Sequence, residues 1–149
     1  MATGLGKTVT FANIPRQGRM LILSHRDELV RQPLKYFPGV MCGIEKAGEH
    51  ASPMDEVVSA SVQSISRRLE RYAPDDFDLI ITDECHHAAA NTYRKIFEYF
   101  KPRLHIGFTA TPNRADNARL NDVYEDIIFQ RDLRWGIKEG YLSDIHCRR

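Results

Sequence analysis

Hydrophobic and polar positions alternate along the chain in blocks that predict strands separated by helices. Short apolar runs rich in β-branched residues lie at 20–23, 57–60, 79–82 and 104–108, each bounded by polar or turn residues. Because successive positions in these runs are apolar, rather than every second one, the runs predict strands that are buried on both faces. Such strands are typical of a parallel sheet with helices on each side.

Helical spacing of apolar residues falls between these runs. It predicts helices at 28–37, 62–72 and 92–100, and a further helix from Thr8 onward. Pro33 lies inside the first of these segments and is expected to kink it, and Pro102 ends the last one. The alternation of strands and helices with short connections predicts a three-layer α/β domain with a mostly parallel sheet.

Composition narrows the class of protein. A chain of 149 residues with 42% hydrophobic and 28% charged positions predicts one globular domain, 1–149. No stretch has the apolar length of a membrane span, and no secretory signal opens the chain, so we expect a cytoplasmic location. Three scattered cysteines do not suggest a disulfide framework. A formal net charge of +1 implies that any nucleic-acid contact is local.

The first eight residues, MATGLGKT, have the composition of a phosphate-binding loop. Gly4 and Gly6 allow backbone N–H groups to point inward, Lys7 supplies a cation for the phosphates, and Thr8 supplies a hydroxyl for Mg²⁺. The strict GxxxxGKT pattern is not met, because Met1 stands where its first glycine belongs. A chance match in a flexible terminus is the alternative.

A second candidate is the segment LIITDECHH, in which an apolar strand runs into two carboxylates. At the end of a parallel strand Asp83 could hold Mg²⁺, and Glu84 could polarise the water that attacks the γ phosphate. An acidic turn without function is the alternative for this segment taken alone. The two candidates together predict a site for Mg-ATP.

Two other classes of site would use some of the same residues. Zinc could take Cys85, His86 and His87, with help from Cys42, His105 or Cys147, but three consecutive residues cannot easily turn to one ion. A small-molecule or nucleotide kinase would share the phosphate loop. It would not explain the segments DECHH or TATP.

Five segments, in type, order and spacing, resemble the first RecA-like domain of a superfamily 2 helicase. MATGLGKT resembles motif I, LILSHRDELVRQ motif Ia, VSASVQSISRR motif Ib, TDECHH a DExH-type motif II and GFTATP motif III. IKEGYLSDI is similar to the segment that closes this domain. The combination is nearest the branch that contains restriction-enzyme motor subunits, and it covers essentially the whole chain.

The resemblance implies a role for each matching position. The residues that would bind the nucleotide are Thr3, Gly4, Gly6, Lys7 and Thr8. Mg²⁺ would be ligated by Thr8 and Asp83. Catalysis would be carried by Glu84, together with Asp83 and Lys7. His86 would link the nucleotide to Thr109 and Thr111 of motif III. Arg26, Ser61 and Gln63 would contact the backbone of single-stranded DNA, with RNA left open.

The same resemblance implies two absences. We expect the domain to lack the strand that precedes the phosphate loop and to lack the second RecA-like domain, which in the family supplies arginines to the γ phosphate. A lobe in this form is expected to hydrolyse ATP weakly or not at all. The alternative function is a truncated or split non-catalytic module that binds nucleotide and needs a partner chain.

Overall fold

The apolar runs form the strands of one parallel sheet. A computed structural model of the chain describes residues 5–88, 90–110 and 121–143, leaving aside the side chain of His87. In these residues the strands are β1 (Met20–Ser24), β2 (Cys42–Glu45), β3 (Val57–Ser61), β4 (Leu79–Asp83) and β5 (Leu104–Phe108). The four predicted strands are confirmed to within one residue at each end, and β2 is an additional strand.

All strand pairs are parallel, and the order across the sheet is β2-β3-β1-β4-β5. The central strand β1 pairs with β3 and β4, and its five residues are all buried. In the part of the chain that the structure describes, β5 pairs with β4 and lies at one edge. The strand order brings the ends of β1, β3 and β4 together at the carboxyl edge of the sheet.

Helices cover both faces of the sheet, which confirms the predicted three-layer α/β fold. They are α1 (Lys7–Ala12), α2 (Val62–Ile65), α3 (Asn91–Tyr99) and α4 (Leu133–Lys138). One face of the sheet packs Leu21, Leu23, Val58 and Ile80 against Tyr93, Ile96 and Phe100. The other packs Met20, Ile22, Val57 and Leu79 against Phe11. Neighbouring strand residues therefore enter opposite cores, which explains their continuous apolar runs.

The helix predicted at 28–37 is wrong. Two separate 3₁₀ turns, Asp27–Leu29 and Pro33–Tyr36, occupy this segment. Pro33 has no backbone N–H to continue a helical ladder. The hydroxyl of Ser59 donates a 2.6 Å hydrogen bond to the carbonyl of Val30, which fixes the segment between the turns against the sheet.

The helix predicted at 62–72 is shorter than expected. It ends at Ile65, and a 3₁₀ turn follows at Leu69–Arg71. Between them the guanidinium of Arg68 turns towards the fully buried carboxylate of Glu45 and the carbonyl of Ala47. This charge-assisted contact favours a loop here, because a buried carboxylate needs a charged partner.

Among the helices that the structure describes, none combines the length and apolar character needed to cross a membrane.

Candidate nucleotide site and nucleic-acid face

The candidate nucleotide site lies where α1 approaches the carboxyl end of β4. Gly6 has a φ of 74°, a left-handed conformation that glycine adopts without steric cost, and α1 begins at the next residue. The chain therefore reverses at Gly6 and turns the side chain of Lys7 towards the end of β4.

Lys7 and Glu84 are joined directly. The ammonium Nζ of Lys7 donates a hydrogen bond of 2.8 Å to Oε1 of Glu84. The Lys7 side chain is 13% exposed and that of Glu84 34% exposed, so solvent reaches the carboxylate more easily. The glycine loop and motif II, distant in sequence, thus share one polar cluster.

The backbone of Glu84 adopts an uncommon conformation. Its φ is 51° and its ψ is 51°, in the left-handed region, and its N–H donates a 3.0 Å hydrogen bond to Oδ1 of Asp83. A left-handed conformation costs a residue with a Cβ about 1–2 kcal/mol. Such outliers cluster at functional sites, where the surrounding structure holds them in place.

The two neighbouring carboxyl groups have opposite pKa shifts. Burial is the main reason that the pKa of Asp83 lies above its ordinary value; the charge of Lys7 opposes this rise and that of Glu84 reinforces it. Burial alone would also raise the pKa of Glu84, but the hydrogen bond and charge of Lys7, with a smaller contribution from His86, lower it below its ordinary value. The geometry therefore keeps Glu84 charged beside a more easily protonated Asp83.

His86 connects motif II to the end of β5. Its Nδ1 lies 3.1 Å from the hydroxyl of Thr109 and 3.3 Å from Oε2 of Glu84. The structure thus brings Lys7, Glu84, His86 and Thr109 into one continuous polar chain. Thr3, Gly4 and Thr111, which the sequence also predicted for this site, lie outside the described residues.

The donor set fits a magnesium ion held jointly with phosphate. Thr8 is the second residue of α1, and Asp83 ends β4 with its carboxyl group partly buried. Hydroxyl and carboxylate oxygens are ligands that Mg²⁺ accepts alongside substrate phosphates. A divalent cation would offset the unfavourable burial of a charged Asp83.

The described residues give no support to the zinc alternative. No group of three or more His, Cys, Asp or Glu residues among them is arranged to hold a metal ion. The thiol of Cys85 is buried, and burial raises its pKa to about 12. Cys147 lies outside the described part of the chain.

The residues predicted to contact nucleic acid meet at the carboxyl ends of β1 and β3. Ser24 and Ser61 are register partners at these ends, and Arg26 follows two residues after β1. Nε2 of Gln63 donates a 3.4 Å hydrogen bond to the carbonyl of His25. Arg26 and Gln63 are exposed, whereas Ser61 is buried and accepts a hydrogen bond from the N–H of Ser64 as the cap of α2.

One polar residue at this face was missed by the sequence analysis. Lys46 follows β2, and its Nζ donates a 2.9 Å hydrogen bond to the carbonyl of Asp27. The N–H of the next residue, Ala47, donates a 3.0 Å bond to the hydroxyl of Ser64. The loop after β2 is thereby fixed to both segments of the face, and recognising β2 in the sequence would have placed it there.

A parallel α/β sheet that presents a glycine-loop lysine to a DExH carboxylate defines a RecA-like lobe of superfamily 2 helicases. The chain belongs to the family described as type III restriction enzyme, res subunit, whose sequence profile matches residues 1–114. This membership confirms the resemblance inferred from the motifs.

Individual relatives agree with this assignment. The chain is 38% identical over 167 aligned positions to IRC3 of Saccharomyces cerevisiae, an assigned ATP-dependent helicase, covering 97% of this chain and 24% of the yeast protein. It is 32% identical, with a TM-score of 0.65, to a fragment assigned to the HsdR subunit of a type I restriction enzyme from Vibrio vulnificus YJ016, covering 94% of this chain and 27% of that fragment.

A helicase structure has the same fold. The helicase domain of Hef from Pyrococcus furiosus matches with a TM-score of 0.62 and 25% identity, over 81% of this chain and 31% of that domain. The chain spans about a quarter of the length of curated relatives such as the yeast protein.

Proposed function

We propose that the chain is the ATP-binding lobe of a DNA helicase or translocase, which couples hydrolysis of Mg-ATP to movement on single-stranded nucleic acid. The observation that carries this proposal is the contact between Lys7 and Glu84, because it unites a phosphate-binding cation with the carboxylate of motif II. A phosphate loop alone would suit many nucleotide-binding proteins. The adjoining DExH carboxylates favour hydrolysis.

Each polar group has a distinct role in this proposal. Lys7 exchanges Glu84 for the β and γ phosphates when nucleotide binds, and the released Glu84 carboxylate orients the attacking water. Thr8 and Asp83 would hold Mg²⁺, which neutralises charge on the phosphates. Before nucleotide binds, the hydrogen bond and charge of Lys7 lower the pKa of Glu84, so its carboxylate is already charged when Lys7 leaves it.

The contact between His86 and Thr109 supports communication from the nucleotide towards motif III. Arg26 and Gln63 would contact the sugar-phosphate backbone, which carries charge without sequence information. A second RecA-like lobe, in a longer or split chain, would supply the cations that stabilise the developing charge of the transition state. The cytoplasmic location expected from the sequence stays a prediction.

Phosphate release by the full-length gene product tests this function. We expect hydrolysis of Mg-ATP to rise several-fold when single-stranded DNA is added, and a matched single-stranded RNA separates the two nucleic acids. Glu84→Gln should lower the rate of hydrolysis on the order of 100-fold, because the attacking water loses its general base. Release that ignores both nucleic acids would contradict the proposal.

A further inference from the structure

Tyr93 lies between the two candidate sites and belongs to neither. It is the third residue of α3, the helix that follows motif II, and its side chain is 1% exposed. Its ring stacks on that of His25, with centroids 6.4 Å apart and planes inclined by 16°. The ring of Phe97 supports it from the same helix at 5.9 Å. Tyr93 is thus held rigidly against the segment that follows β1.

The hydroxyl of Tyr93 is buried and has no hydrogen-bond partner among residues 5–88, 90–110 and 121–143. Burial raises the pKa of this phenol, and the charges of Asp83 and Glu84 raise it further, so both carboxylates lie within electrostatic reach. A buried hydroxyl without a partner costs free energy that an apolar side chain would not. Such a group in a native protein calls for an explanation.

A second unpartnered hydroxyl lies in the same region. Within the described residues, the other buried side-chain oxygen without a partner belongs to Ser24, the last residue of β1. The unsatisfied polar atoms of the described core are therefore concentrated where β1 leads into the predicted nucleic-acid face. A purely structural core would more economically place phenylalanine and alanine at these positions.

His25 carries the contact onward to the nucleic-acid face. Its carbonyl accepts the hydrogen bond from Gln63, and Arg26 is the next residue in the chain. A displacement of the Tyr93 ring would therefore move the backbone that positions both Arg26 and Gln63. The Tyr93 ring lies in the dense core, which does not deform continuously, so a shift of this ring is passed to the exposed His25 ring that stacks on it.

We propose that Tyr93 is a positioning residue that couples the two sites: its hydroxyl gains an acceptor at the end of β4 when nucleotide binds, and its ring transfers that change to His25. The proposal rests on the proposed function and deepens it. It requires the nucleotide-bound arrangement to satisfy a hydroxyl that is otherwise unpaired. The free energy of this additional hydrogen bond favours the nucleotide-bound arrangement of the nucleic-acid face over the nucleotide-free one.

Two tyrosine-to-phenylalanine substitutions on one helix test this role. Tyr93→Phe removes the unpartnered hydroxyl and keeps the ring stacked on His25. Tyr99→Phe is the matched control, because its hydroxyl already has a partner: it donates a 2.5 Å hydrogen bond to the carbonyl of Tyr72. The full-length protein is titrated with a labelled oligonucleotide, with and without Mg²⁺ and a nonhydrolysable ATP analogue. Thermal unfolding of each variant is measured in parallel.

The two substitutions are expected to differ in both the coupling ratio and the melting temperature. In the wild type and in Tyr99→Phe the analogue should change oligonucleotide affinity by about fivefold or more, a usual size for coupling between sites. In Tyr93→Phe this ratio should fall towards one. The melting temperature should drop for Tyr99→Phe, which loses a satisfied hydrogen bond, and stay level or rise for Tyr93→Phe.

Two results would overturn the coupling through Tyr93 while leaving the proposed function intact: a ratio preserved in Tyr93→Phe, or an equal loss in Tyr99→Phe. A wild-type ratio near one would overturn both proposals, because movement driven by ATP requires nucleic-acid affinity to depend on nucleotide. A drop in melting temperature for Tyr93→Phe as large as that of Tyr99→Phe would also overturn the coupling through Tyr93, since the hydroxyl would then have a partner. A wild type that binds neither analogue nor oligonucleotide refutes the proposed function and the coupling with it.

Discussion

The pair formed by Lys7 and Glu84 joins two opposite charges between the start of α1 and the end of β4. Their 2.8 Å hydrogen bond is charge-assisted, yet solvent reaches a third of the carboxylate and screens the interaction. An arrangement of this strength can be opened by a ligand with more negative charge. Triphosphate carries such charge, so under the proposed function this contact would be exchanged when nucleotide binds.

Single residues of the site were predictable from the sequence because each belongs to a short motif. The pattern GKT marks Lys7 and Thr8, and DECH marks Asp83 and Glu84. What the sequence does not contain is the pairing of Lys7 with Glu84 or the left-handed backbone of Glu84, since both arise when α1 packs beside β4. The assigned roles of these residues stay predictions.

Arg26 gives a test of the nucleic-acid face at the scale of one side chain. Arg26→Ala should weaken oligonucleotide binding about equally for different sequences and lower the slope of log affinity against log salt by about one. The physical reason is that a backbone contact releases counterions without recognising bases. Binding is measured across a salt series in the full-length protein.

Lys101→Ala is the control for this variant. Lys101 is exposed, precedes the amino end of β5 and therefore lies at the edge of the sheet away from Arg26. The control should keep the wild-type salt slope. If Arg26→Ala and the wild type had equal salt slopes, Arg26 would not contact the nucleic-acid backbone.

Among the elements, β5 is closely packed at Gly107 against the side chains of Tyr124 and Cys85. A Cβ at this position would lie 2.6 Å from Cζ of Tyr124 and 2.8 Å from Cβ of Cys85. Gly107→Ala should therefore destabilise the protein by about 1–3 kcal/mol through overpacking. Urea unfolding measures the loss.

Gly48→Ala is a suitable comparison, because nothing lies within 4 Å of the added methyl group. This variant should unfold within about 0.5 kcal/mol of the wild type. If both alanine variants were equally stable, the packing of Tyr124 over β5 would be wrong.

His105 on β5 makes the stability of this edge depend on pH. Its Nε2 lies 2.9 Å from the hydroxyl of Thr82, and its ring contacts those of Phe97 and Tyr124 with centroids 4.4 and 4.8 Å away. Burial lowers the pKa of His105 to about 4, against an ordinary value of 6.5. The unfolded chain therefore binds an extra proton between these values.

The sign of the effect follows from this difference. Stability is unaffected above pH 6.5 and falls as the pH decreases from 6.5 towards 4, because protonation favours the unfolded chain. Between pH 7 and pH 5 His105 should contribute a loss of about 2 kcal/mol, which is absent in His105→Gln. Unfolding free energies of the two proteins at both pH values measure this difference. Parallel pH dependences would contradict the buried neutral state of His105.

Strands were easier to predict than helices for a physical reason. The strands β1, β3 and β4 are almost fully buried and mainly apolar, which made them visible in the sequence. The strand β5 is only partly buried, and its apolar residues are Leu104, Ile106 and Phe108. The short edge strand β2 was not visible in the sequence, because it contains Gly43 and the charged Glu45. The segment at 28–37 has helical spacing, but Pro33 and the bond from Ser59 to Val30 prevent a continuous helix.

At the scale of the whole molecule, both candidate sites use the same edge of one sheet. The groups proposed to bind nucleotide lie at the ends of β4 and β5, and those proposed to contact nucleic acid lie at the ends of β1 and β3. Because β1 pairs with both β3 and β4, the two sites are one strand apart.

The central claim is that Lys7 and Glu84 share one nucleotide, and equilibrium binding of a nonhydrolysable ATP analogue tests it most directly. The full-length wild type should bind the analogue in a Mg²⁺-dependent manner. Lys7→Ala should weaken binding on the order of tenfold or more by removing the phosphate cation, whereas Glu84→Gln should bind at least as tightly as the wild type because Lys7 loses its competing anion. Equal affinities for the wild type and Lys7→Ala, with or without Mg²⁺, would show that Lys7 does not bind the phosphates.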